Sequence, residues 1–161
     1  MTLTSKQISD LNRSNRAMQN ASVGTLLASL ETGDTTGNLR RITESVSFDD
    51  FTDGGAAVGT FDLTNKIPAG ATVLSAAVTA LVGFTGNVSA TLTIGDGTDV
   101  DRYNTGTPSV YTTSATGIAV GIPSGVVYHT AEKTVKLTVT SSSDFTAVTA
   151  GSMTVQITYL V

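Results

Sequence analysis

The hydrophobic period of this chain changes at Ile42, and that change limits its fold more than any other feature. From there apolar residues recur at every second position, the signature of half-buried strands. Val46 and Phe48 alternate with Ser45 and Ser47. Val88, Ala90, Leu92 and Ile94 alternate with Ser89, Thr91 and Thr93. Val135, Leu137 and Val139 alternate with Lys136 and Thr138, and Met153, Val155, Ile157 and Tyr159 with Thr154, Gln156 and Thr158. Phe61 and Leu63 follow the turn Asp53-Gly54-Gly55, and the longer apolar run from Val73 to Val82 predicts a central strand. Turn signals part these runs at Pro68-Ala69-Gly70, Gly83 to Asn87, Gly95-Asp96-Gly97, Gly106 to Pro108, Pro123-Ser124-Gly125 and Ser141 to Asp144. Strands so spaced, without helical periods between them, predict an all-β domain over 42–161, a β-sandwich or jelly roll. Tyr103 to Gly125 has shorter, less regular runs and reads as long loops with short strands, where sandwiches often carry contacts.

Residues 1–41 differ. Thr4 or Ser5 can cap a helix in which Ile8, Leu11, Asn15 and Met18 form a narrow stripe beside Arg13 and Arg16. Val23, Leu26, Leu27 and Leu30 make a second short stretch, weakened as a helix by Gly24. Helices this short rarely hold alone in water, so this partly helical, extended arm needs a surface, on its own domain or on a neighbouring subunit. Ile8, Leu11, Arg13, Arg16, Met18, Leu26, Leu27 and Leu30 are its candidate partner-binding residues. The stretch TGDTTGNLRR (32–41) reads as a hinge.

Composition narrows the function. Only 14% of residues are charged, against about a quarter in globular chains, and Thr, Ser, Gly and Ala fill the gap. Residues 1–42 carry five basic and three acidic side chains; 43–161 carry four and ten. A mildly basic arm on an acidic body suits protein contacts and is too weakly basic for nucleic acid. No apolar run is long enough to span a membrane, and the N-terminus lacks the apolar stretch of a secretory signal. There is no Cys, which rules out disulfides, thiolate metal sites and thiol nucleophiles. One histidine, His129, argues against a catalytic zinc site within one subunit.

Two acidic stretches are the places for chemistry. In Gly95 to Asp101, Asp96, Asp99 and Asp101 can gather oxygens around Ca²⁺, yet the loop lacks the EF-hand frame. Asp and Gly also build ordinary turns, and both readings stay open. Arg102 can instead pair with one of these carboxylates. Asp49, Asp50 and Asp53 form the weaker cluster. Paired carboxylates can hydrolyse glycosides, but that needs a sugar-stacking cleft, and the chain has no Trp, four Tyr and five Phe. His129 reads as a strand histidine at a surface or subunit boundary. A Ser-His-Asp set is not excluded by counting, but no Gly-x-Ser-x-Gly elbow surrounds any Ser. No Walker loop or dinucleotide fingerprint occurs. No catalytic, cofactor-binding or metal-binding residue is assigned, and the chain reads as a non-enzyme.

Several stretches together resemble small virion proteins of tailed bacteriophages: Ile67-Pro68-Ala69-Gly70-Ala71-Thr72-Val73, Ala90 to Asp96, Asp99-Val100-Asp101-Arg102-Tyr103, Thr134 to Thr140, and Gly151 to Tyr159. Their order and spacing over roughly 43–160 carry the likeness, and the arm lies outside it. Within that class the chain looks most like a head decoration or cement protein. The resemblance implies a structural virion protein on the outer capsid surface, bound to the major capsid protein, commonly as a homotrimer, with no cofactor. It implies that these residues are scaffold, with Arg102 anchoring its loop to Asp99 or Asp101. The alternatives are another virion component (a neck, tail or head-fibre subunit) or a host-glycan-binding module, for which Tyr103, Tyr111 and Tyr128 are the candidate aromatics.

Overall fold

A computed structural model of the chain describes residues 38–86, 89–124 and 127–161. The arm with its eight candidate partner-binding residues, and Val88 in one predicted strand, lie outside the described residues. Seven strands follow in order: β1 (Leu39–Ser47), β2 (Thr52–Asp53), β3 (Val58–Asp62), β4 (Thr72–Thr85), β5 (Ala90–Gly95), β6 (Lys136–Ser141) and β7 (Ala150–Leu160). They form two antiparallel sheets, ordered β1-β7-β4 and β2-β3-β6-β5. The protein is all-β, and the two sheets share one core in a sandwich arrangement.

The alternating patterns explain who faces inward. Ala90, Leu92 and Ile94 of β5, Leu137 and Val139 of β6, and Met153, Val155 and Ile157 of β7 are all buried. At one end Phe51 packs against Phe61, Phe84 and Phe145, with ring centroids about 6 Å apart, so residues from both sheets meet around one ring. β1 opens at Leu39, and Leu39, Arg40 and Arg41 pair with Leu160, Tyr159 and Thr158. Those three residues, expected in the hinge, are therefore strand.

Two expectations are corrected. The run Val73–Val82 is not a central strand: β7 is the middle of its sheet and β4 lies beside it. The cause is visible in β4, whose register to β7 shifts between Val73 and Ser75, Val78 and Ala80, and Val82 and Thr85. Each bulge changes which face the next residue meets. Val73, Ala76, Val78, Leu81 and Phe84 all turn inward at spacings of two and three, while Leu74 and Val82 are exposed. The second correction follows. Gly83, Phe84 and Thr85 are strand residues rather than a turn, and the Gly83 amide donates to the Thr113 hydroxyl, 3.0 Å away.

Between β5 and β6 the chain runs from Asp96 to Val135 with isolated bridges and no named strand among the described residues. This segment acts as a strap. Leu92 N–H donates to Pro108 O, Val110 N–H donates to Ala90 O of β5, and Val110 O accepts from Phe84 N–H of β4. Val110, fully buried, thus bonds to both sheets. The strap then follows the outer edge of β4: Leu81 and Ser114 exchange two hydrogen bonds at 2.8 Å, Ile118 N–H reaches Val78 O, and Val73 N–H reaches Val127 O. Gly117 lies at φ +83, and a Cβ there would collide with the Val78 carbonyl, so glycine lets the strap approach β4.

Candidate functional site

The richest set of polar side chains sits where the strap leaves β5. Asp96, just past that strand, is almost fully buried at its carboxylate. Its Oδ1 accepts from the N–H groups of Thr98 (3.1 Å) and Asp99 (3.0 Å), an Asx-type turn. Its Oδ2 lies 2.9 Å from Arg102 Nε and 3.5 Å from Lys133 Nζ. Burial pushes the Asp96 pKa up, but the two N–H donors and the two cations outweigh it and hold the group below its ordinary 3.8.

Tyr103 and Asn104 follow directly, both fully buried. The Asn104 side-chain oxygen accepts from Ile94 N–H at 2.6 Å, and its amide donates to Gly106 O. The Tyr103 hydroxyl is 2.8 Å from His129 Nε2, with the rings edge to face. His129 is 4% exposed. It is therefore interior, not the surface or boundary histidine expected: its backbone exchanges hydrogen bonds with Gly70 and Ala71 beside β4, and its ring meets Tyr103. Burial lowers the His129 pKa; Asp96 opposes this, and Lys133 and Arg102 add to it. Burial, then the Asp96 carboxylate, pushes the Tyr103 phenol well above its ordinary range, with Arg102 opposing.

Chemically this arrangement is a clamp. Asp96 is engaged by two cations and two amides, and Asp99 Oδ1 faces Asp101 N–H at 3.4 Å while its Oδ2 lies 3.8 Å from Arg102. The pairing of Arg102 anticipated with Asp99 or Asp101 is made with Asp96 first and Asp99 second. Among the described residues no group of three or more His, Asp or Glu is placed to hold a metal ion. The weaker acidic cluster is likewise turned onto backbone: Asp50 Oδ2 accepts Ser47 N–H and Asp53 Oδ1 accepts Gly55 N–H, both at 2.8 Å. Of the three tyrosines considered for sugar stacking, Tyr103 is inside, Tyr111 packs partly against the core, and Tyr128 is exposed.

Sequence reasoning offered Arg102 as a partner for the carboxylates of its loop but missed that Tyr103, His129 and Lys133 converge on the same place. No local signal could have joined Lys133 or His129 to Asp96, since the strap brings them together.

A different surface is the outer face of β1-β7-β4. Residue parity places Thr43 and Ser45 of β1, Ser152, Thr154, Gln156 and Thr158 of β7, and Ser75 and Ala77 of β4 on it. The Ser45 and Thr154 hydroxyls are 3.1 Å apart across the pair. Arg41 is the charged side chain that parity puts on this face, and the exposed Leu39 and Val82 lie on it among the hydroxyls.

The fold thus defines an antiparallel two-sheet β protein clamped by an interior ion pair. No family model matches the chain, and no curated protein matches it. Among solved structures, a chain of the cyanophage Pam1 capsid asymmetric unit is similar, with a TM-score of 0.49 and 21% identity, over 78% of this chain and 86% of that one.

Proposed function

We propose that this chain is a non-enzymatic structural protein of a tailed-phage particle, a decoration or cement protein bound to the outside of the capsid lattice. The observation that carries the reading is the use made of the residues on which the resemblance to small virion proteins rests. Ala90 to Asp96, Asp99 to Tyr103 and Thr134 to Thr140 supply two core strands and the buried clamp, so their chemistry holds the scaffold together. What the domain offers outward is a broad, weakly charged, hydroxyl-rich sheet face, suited to a shallow contact repeated many times. Repetition raises avidity because each later contact is intramolecular. The arm that precedes β1, with Ile8, Leu11, Met18, Leu26, Leu27 and Leu30, adds a contact to a neighbouring subunit, the major capsid protein is the partner, and a trimer is the favoured assembly.

The test is cryo-electron microscopy of particles carrying the protein, paired with particles lacking its gene. Density on the outer lattice, together with earlier heat-induced genome release in the deletion, supports the cement role. Density confined to the neck or tail moves the protein to a joining or attachment role.

A further inference from the structure

Sandwiches must deal with the open edges of their sheets, because unpaired N–H and C=O groups recruit other strands. Among the described residues, three of the four edges are managed. The strap bonds to β5 and to β4, and β2 is two residues long. β1 is treated differently. It has nine residues, pairs one-to-one with β7 with no bulge, and carries no Pro.

The open groups can be named. Asn38 and Val161 exchange both backbone hydrogen bonds, at 3.1 and 3.3 Å. In an antiparallel ladder such pairs alternate, so even-numbered β1 residues bond to β7. The N–H and C=O groups of Leu39, Arg41, Thr43 and Ser45 point away from it. Ser47 would be next, but its N–H is taken by Asp50 Oδ2.

We propose that β1 is a self-association edge, at which a second copy of this chain adds its own β1 antiparallel about a two-fold axis at Ile42, giving a continuous six-stranded sheet. In this register Leu39 pairs with Ser45 of the second copy and Arg41 with Thr43. All four open residues are satisfied, with about eight interchain hydrogen bonds, and the Ser47–Asp50 bond is kept. Charge selects this register over its neighbours. It sets Arg40 opposite Glu44 twice, in the closer, non-hydrogen-bonded type of pair where opposite charges favour pairing; the Glu44 carboxylate already accepts from Thr64 N–H and Oγ1, and the guanidinium adds to those bonds. A shift by two in one direction sets Arg41 against Arg41, and in the other direction matches no opposite charges. Two-fold pairing is self-complementary by construction. The two arginines, which would deter a foreign strand, become the determinants of this partner. The inference concerns contacts between copies and goes beyond the capsid reading; either can fail without the other.

The experiment uses the full chain. Because it has no Cys, engineered cysteines report cleanly. Leu39 and Ser45 are exposed. The double variant Leu39→Cys/Ser45→Cys should form a covalent dimer on a non-reducing gel, because opposed residues lie about 5.5 Å apart between copies. Within one chain the same two positions are about 20 Å apart, and neither single variant should cross-link. Thr43→Pro removes an outward N–H without touching the β7 ladder, a tolerated edge position. It should keep the β circular-dichroism spectrum and weaken self-association in sedimentation at least about tenfold. Arg40→Glu should weaken it in the same sense. A chain that sediments as a monomer, association unaffected by Thr43→Pro, or single cysteines that cross-link as well as the pair would each overturn the proposal.

Discussion

Replacing Asp96 with Asn isolates the charge of the clamp from its shape. The side-chain oxygen can still accept from Thr98 and Asp99 N–H, but an NH₂ now faces Arg102 and Lys133. Breaking one side of a buried ion pair costs about 3–5 kcal/mol. Here the Arg102 and Lys133 side chains are 24% and 35% exposed, so water recovers part of the loss, and about 2–3 kcal/mol is expected. Asp96→Ala also loses two hydrogen bonds at about 0.5–1.5 kcal/mol each and should cost roughly 3–5 kcal/mol. Urea unfolding followed by far-UV circular dichroism reads this directly. With m near 1–3 kcal/mol/M for small domains, the Asn variant should move its midpoint by roughly 1 M or more. The pH dependence supplies a second check. The folded Asp96 pKa lies below 3.8, so the charge adds stability above about that value and loses it as pH falls through the folded pKa. The gap between wild type and Asp96→Asn should therefore close in acid. A gap under about 0.5 kcal/mol at pH 7, within the range of an ordinary surface substitution, or one that persists at low pH, would refute the clamp.

The other expectations are simpler. His129 has a folded pKa below 6.5, so the unfolded chain takes up its proton first. Stability should fall as pH drops from about 6.5 through the folded value, and His129→Gln should flatten that limb in urea titrations. Gly59→Ala places a methyl group in the Phe145 ring and should destabilise by about 1–3 kcal/mol, measured as a lowered Tm. Leu137→Ala, at a fully buried position in β6, should cost about 2–5 kcal/mol; a smaller shift in urea would mean the sandwich interior collapses around the gap.

Where the backbone is regular, the sequence was readable. In β5, β6 and β7 every residue takes one step along the pleat, so alternation of Leu92, Ile94, Leu137, Val139, Val155 and Ile157 marks the inward face, although Thr138 and Ser141 of β6 are buried as well. β4 shows the limit of that logic. Its three register shifts scramble the period, and a bulged strand beside the middle of its sheet mimics a central one. The strap was harder still. Its bonds to Ala90, Leu81 and Val78 are backbone bonds, which leave no trace in side-chain pattern, and its Gly and Pro residues read as loop. His129 was misplaced for the same reason, since its burial comes from a segment with no period. Asp96 was legible as a turn former and as a partner for Arg102, but its second cation, Lys133, comes from far along the chain.

Among the described strands, β7, which organises the three-stranded sheet, comes last and its partner β1 comes first. During synthesis, β1 and β4 emerge early with no neighbour to pair with, since both bond to β7 and not to each other. The other sheet also waits, because β3 and β5 both need β6. Closing such long loops before any pairing stabilises them slows folding, and unpaired strands are exposed to association meanwhile. β4 carries no charged residue and β1 only Arg40, Arg41 and Glu44, too few to discourage this, so a chain truncated before Ala150 should be recovered as aggregate rather than as a partly folded domain.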